Sequence, residues 1–143
     1  MVDEQEMPIE GGCLCGAVGY SLQPPFSLFQ YCHCSRCQKS SGSAHASNLF
    51  APAAQLRWLR GEDQVQHFRL PDTEHYGTAF CRHCGSAMPW LARAGQVAIV
   101  PAGGLEQAPP MMPKQSIFWD SRADWYICPE ALPKHAELPL KRQ

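Results

Sequence analysis

Eight cysteines stand in a chain of 143 residues, and seven of them fall into three tight groups. Gly12–Gly19 reads GCLCGAVG, Tyr31–Gly42 reads YCHCSRCQKSSG and Phe80–Ser86 reads FCRHCGS. Thiols one or two residues apart are poor disulfide partners, but they are natural chelates for one ion. Thiolates favour soft or borderline cations, and zinc suits them best. A disulfide framework is the competing reading, and a reducing compartment argues against it.

The first and third groups read together. Cys13 and Cys15 sit at i and i+2, so on an extended chain both sulfurs face one way. Cys81 and Cys84 form the CxxC spacing of a zinc-binding turn. Gly16 and Gly85 follow the second cysteine of each pair, where a chain folding back around an ion needs positive φ. Four thiolates close the coordination shell, so Cys13, Cys15, Cys81 and Cys84 are expected to hold a structural zinc. Sixty-six positions separate Cys15 from Cys81, so that ion would close a long loop.

Cys32, Cys34 and Cys37 read CxCxxC, with no fourth cysteine nearby. Three protein ligands and one vacant position are the usual form of a catalytic zinc. Two other readings stay open: a fourth ligand from elsewhere, or thiols that belong to the core. His33 lies between two of these cysteines, and alternation turns its ring away from the ion. A hydrogen-bonding or pocket role is expected for it, with a surface position the alternative. Arg36 and Lys39 flank Cys37, either as surface charges or as cations that offset thiolate charge and attract an anion. His83, inside the CxxC turn, should face solvent, while His45, His67, His75 and His135 have no motif. Cys128, beside Pro129, is expected to be a small buried apolar residue.

The elements that carry these groups are short. With 11 Gly and 13 Pro, and 45% hydrophobic residues, the chain suits one domain of turns and short strands over a real core. Strand-like runs span Ala17–Leu22, Leu28–Tyr31, Ala44–Ala51, Leu56–Arg60, Val65–Leu70, His75–Phe80, Ala87–Ala92, Gln96–Val100 and Ser116–Trp119. The one helical candidate is Ser35–Ser41, directly after Cys34. A mainly β, mostly antiparallel domain pinned by metal is expected. The formal net charge of -1, without a basic block, argues against nucleic acid. No apolar run approaches the ~20 residues of a membrane helix, and Met1–Glu10 does not read as a secretory signal. The expected address is the cytosol, and the sequence carries no signal for oligomeric state.

Three motifs in order resemble the glutathione-dependent formaldehyde-activating enzyme family, which shares its domain with the centromere protein V group. They are GxCxCG at Gly11–Gly16, CHCxxCxKxSG at Cys32–Gly42 and FCxxCGS at Phe80–Ser86. Ile117–Trp125 (IFWDSRADW) and Leu132–Pro133 fit the same pattern, so the likeness runs from about Ile9 to Pro133. It implies a β-tent-like fold of small sheets around zinc. It implies structural zinc on Cys13, Cys15, Cys81 and Cys84, and a second, catalytic zinc on Cys32, Cys34 and Cys37. The implied activity is a carbon–sulfur lyase acting on S-(hydroxymethyl)glutathione or another thiol adduct of a small aldehyde, with glutathione or a similar small thiol as partner. Gln38 departs from a frequent Arg, Ser116 from an expected His, and Gly104-Leu105-Glu106 from a Gly-Thr-Leu-Asp-like turn. The competing class is a zinc-stabilised binding or metal-handling module without catalysis. Grouping seven thiols as four and three predicts between one and two zinc ions per chain of reduced protein, by elemental analysis. Iron–sulfur absorbance or a metal-free protein would defeat this reading.

Overall fold

The computed structural model describes residues 6–139. Eleven short strands build three separate sheets. The first has the order β1-β2-β5, from β1 (Ile9–Gly12), β2 (Gly19–Leu22) and β5 (Leu56–Arg60). The second, in the order β11-β3-β4-β10-β9, is formed by β3 (Leu28–Cys32), β4 (Ala46–Pro52), β9 (Trp90–Ala92), β10 (Val97–Pro101) and β11 (Ser116–Ile117). The third, β6-β7-β8, comprises β6 (Val65–Arg69), β7 (Gly77–Cys81) and β8 (Ala87–Met88). All pairings are antiparallel except β11 on β3, where Ser116 lies opposite Tyr31. The one α-helix among the described residues, α1 (Ser35–Ser41), coincides with the helical candidate.

The sheets share one core. Tyr20 and Leu22 from the first sheet meet Leu49 and Val100 from the second and Ala79 and Met88 from the third. Alternation explains the choice: β2 buries Tyr20 and Leu22 on one face, and β7 buries Gly77, Ala79 and Cys81. No helix among the described residues is long and apolar enough to cross a membrane.

Three expectations shift. The run Ala87–Ala92 is two strands, because Pro89 lacks the N–H that a continuous ladder needs. β8 pairs with β7 in one sheet and β9 with β10 in another. The run Ser116–Trp119 ends as strand at Ile117, since Phe118 takes positive φ (54°) and opens a 3₁₀ turn over Trp119–Ser121. β1, absent from the expected strands, forms because Ile9 packs in the core and its backbone pairs with β2.

Tyr20 is fully buried, packs edge-on to Trp58 at 6.0 Å, and has a hydroxyl with no hydrogen-bond partner. Burial first, then the nearby Glu106 charge, push that hydroxyl up, so it stays neutral. An unsatisfied buried polar atom costs roughly 1–3 kcal/mol. Tyr20→Phe should therefore leave stability unchanged or raise it by about 1 kcal/mol in denaturant unfolding. A loss larger than that would show that a bound water serves the hydroxyl.

Candidate metal centres

Cys13 and Cys15 lie on the turn that leaves β1. Cys13 N–H donates to Val18 O (3.1 Å), and Val18 N–H donates to the Cys13 sulfur (3.2 Å). Cys81 ends β7, fully buried, and Cys84 follows in the next turn. Gly16 and Gly85 take φ of 84° and 77°, the left-handed region their positions were expected to need. The four sulfurs lie within 4.8 Å of one another. A tetrahedral zinc with Zn–S near 2.3 Å spaces its sulfurs about 3.8 Å apart. The separations of 3.6 Å between Cys13 and Cys15 and 3.9 Å between Cys15 and Cys81 fit that edge.

Ser86 ties the two halves together. Its hydroxyl accepts from Leu14 N–H (2.9 Å) and lies 3.2 Å from the Cys84 sulfur, to which it can donate. That hydroxyl, then the Ser86 and Cys15 backbone, pull the Cys84 thiol down to about 5. At Cys15 the Ala17 N–H acts downward, but the other three thiols and desolvation outweigh it and push the group up to about 11. Four sulfurs this close cannot all ionise without a cation between them.

The second cluster is made by one short segment. Cys32 closes β3, and Cys34 is the N-cap of α1, its sulfur accepting from Cys37 N–H (3.4 Å). Gly42 ends the helix with φ 64°, a left-handed cap. The three sulfurs lie within 4.8 Å of one another, and no other His, Cys, Asp or Glu donor among the described residues joins them. Burial pushes the Cys32 and Cys37 thiols up. Burial acts upward at Cys34 too, but Cys37 N–H and the neighbouring thiols outweigh it and lower that group. The donor set therefore suits a thiophilic cation with one position outside the protein shell.

Cys37 also lines a half-open cavity of about 380 Å³ between the second and third sheets. Tyr76 stands in its wall, with its hydroxyl 2.7 Å from Ser40 Oγ and its pKa pushed up to about 12, chiefly by burial. Arg36 lies over the Tyr76 ring at 5.8 Å, exposed, and Lys39 is exposed on the same helix.

His33 differs from its expectation. It is neither on the surface nor hydrogen-bonded: its ring is fully buried, and neither nitrogen has a partner. Rings of His45, Trp119 and Tyr126 surround it at 5.0–5.1 Å, and burial holds its pKa down. It does not line the cavity, whereas His45 does. His83 is exposed as expected, with Nε2 2.6 Å from Gln64 Oε1. Cys128 is exposed, not buried, because it leads into a 3₁₀ turn at Pro129–Ala131 that packs no side chain into the core. Gln38, the departure from Arg, donates from Nε2 to His33 O (2.7 Å) and Ser121 O (3.0 Å), fastening α1 to the Trp119–Ser121 turn. Tyr76 and His45 carried no local signal, since they reach the site only through tertiary packing, whereas Trp119 stood within the Ile117–Trp125 stretch. Ser86 stood within the third motif.

A small β protein with one four-thiol and one three-thiol centre is thus defined. The family model described as glutathione-dependent formaldehyde-activating enzyme matches residues 8–121. The chain belongs to that family. A protein of Halomonas elongata named "Putative glutathione-dependent formaldehyde-activating enzyme" is 32% identical over 93 residues, covering 59% of this chain and 56% of that protein. The chain thus spans about half the length of this curated relative. A crystal structure of a Rhodobacter sphaeroides protein has the same fold, with TM-score 0.60 at 24% identity, over 75% of this chain and 98% of that one.

The two centres should differ in what they do for folding. The four-thiol centre joins distant segments, so metal bound there would be coupled to folding and would contribute ~10 kcal/mol or more, comparable with a whole domain's stability. The three-thiol centre constrains six residues of one segment. Cys84→Ser is expected to give insoluble or largely unfolded protein, and Cys34→Ser a folded protein with about one zinc, as read by thermal unfolding and metal content. If Cys34→Ser unfolds as badly as Cys84→Ser, the second centre is structural.

Proposed function

We propose that this protein is a zinc-dependent carbon–sulfur lyase acting on a thiol adduct of a small aldehyde, S-(hydroxymethyl)glutathione being the adduct that the family name suggests. The observation that carries the reading is the convergence of Cys32, Cys34 and Cys37 on one point, with Cys37 in the wall of a cavity. On this reading Cys13, Cys15, Cys81 and Cys84 hold a structural zinc, and Cys32, Cys34 and Cys37 hold the second. Bound there, zinc supplies a soft Lewis acid that favours the thiolate form of a substrate sulfur.

In the cleavage direction the C–S bond breaks, its electron pair stays on sulfur as thiolate, the hydroxyl releases its proton to solvent water and a C=O bond forms. Addition of thiolate to the aldehyde is the reverse. The chain's own groups fix the geometry of this exchange. Tyr76, held by Ser40, presents a protonated hydroxyl to the oxygen whose charge changes. Arg36 and Lys39, on the exposed side of α1, offer positive charge to any anionic part of the thiol that extends beyond the cavity. Gln38 and Gly42 hold the helix that carries Cys37, which keeps the reacting sulfur within reach of the aldehyde carbon. A reducing compartment such as the cytosol would keep all seven thiols available.

Zinc-loaded protein should therefore turn over glutathione and formaldehyde with saturation, faster than the spontaneous reaction. Cys34→Ser should abolish this, and Tyr76→Phe should keep both zinc ions and lose about 100-fold in kcat/KM. A rate equal to the spontaneous one at every protein concentration would instead favour a zinc-stabilised binding module.

A further inference from the structure

A second cavity adjoins the one beside Cys37. It is smaller, about 170 Å³, and Gly77, Thr78 and Trp90 line both. Gly77 permits this close meeting, since a Cβ there would lie 3.5 Å from the Trp90 ring and 3.0 Å from Phe68 O. The two spaces differ in charge. The wall of the larger holds no Lys or Arg, and His45 is its one basic side chain. The smaller contains Arg69, which lies opposite Gly77 in the β6–β7 ladder.

Arg69 is anchored but has no acidic partner. Its Nη2 donates to Leu91 O (3.2 Å), which ties the guanidinium to β9. No Asp or Glu lines this cavity, and among the described residues no carboxylate lies within ion-pair distance of Arg69. A guanidinium carries five N–H donors in a fork that matches a carboxylate. Thr78 adds a hydroxyl to the same space, and His67 a ring.

A peptide thiol seated with its sulfur at Cys37 must send its two arms away from the metal. The glycine arm of glutathione ends in a bare carboxylate, one residue or about 3.5 Å beyond the cysteinyl unit. The γ-glutamyl arm ends in a carboxylate beside an ammonium. In the smaller cavity that ammonium would meet Arg69 as a like charge, with no acid to offset it. The glycine arm suffers no such penalty. Arg36 and Lys39 line neither cavity, so they are left to the other end of the ligand.

We infer that Arg69 is a specificity-determining residue that holds the glycine carboxylate of glutathione, or of its aldehyde adduct, bound across both cavities. This rests on the reading of Cys32, Cys34 and Cys37 as a zinc centre open to a substrate thiol.

The test is calorimetric titration of zinc-loaded protein with glutathione and with its glycine ethyl ester, the same thiol without that charge. At low ionic strength the wild type should bind the acid roughly fivefold more tightly. Arg69→Gln, confirmed to be folded and zinc-loaded, should bind both with the wild type's affinity for the ester, and Arg69→Lys should keep part of the preference. Equal affinities in the wild type, binding of neither thiol, or a preference that survives Arg69→Gln would overturn the inference. Turnover of S-(hydroxymethyl)glutathione is measured in parallel. A preference that depends on Arg69, without turnover, supports the inference while removing the lyase reading, and turnover without the preference does the reverse.

Discussion

Everything else in the molecule depends on four sulfurs being held within 4.8 Å of one another. The three sheets share no strand and no ladder, so backbone hydrogen bonding alone does not join them. A buried core spans all three, but it is assembled from few large side chains: Tyr20, Leu22, Leu49 and Met88 are the bulkiest fully buried ones. Cys13 and Cys15 bring the end of β1, and Cys81 brings the end of β7, so the first and third sheets meet at the cluster. Like charges at this separation repel unless a cation sits among them. An ion bound there would make fold and metal one thermodynamic object.

The second centre obeys a different logic. Its three donors come from a strand end, a cap and the first turn of a seven-residue helix, so their convergence needs little of the surrounding fold. Cys34 has two duties, since its sulfur satisfies the Cys37 N–H that a helix start leaves without an internal partner. What the rest of the molecule adds is setting. Gln38 fastens the helix to the Trp119–Ser121 turn, and packed rings of His33, His45, Trp119 and Tyr126 close its other flank. A strictly local cluster thereby faces a cavity with walls drawn from strands far along the chain.

This division explains what was legible in the sequence. Local spacing shows the three cysteine groups, the glycines with positive φ after Cys15 and Cys84, helix Ser35–Ser41 and strand Leu56–Arg60, because each follows from a few adjacent residues. The pairing of the first cysteine group with the third was legible only through ligand counting, since no local rule connects residues so far apart. Tyr76 and His45 were not legible, because a residue enters the cavity by sheet order and register, which alternation cannot fix. His33 misled for a related reason. Its neighbours in sequence are polar or ligating, but its neighbours in space are aromatic. Cys128 misled in the opposite sense, as apolar character alone does not bury a residue in a stretch that packs no side chain into the core.

Pro89 has a consequence for the cavity. It breaks one run into β8 and β9, which belong to different sheets, and it is itself fully buried. Ala87 and Met88 before it, and Trp90 after it, all line the cavity. The two walls are therefore bound along a common spine, like the covers of a book. The pyrrolidine ring fixes φ at the corner these two walls share, so one torsion of the slot's frame is set by covalent geometry before any ligand arrives.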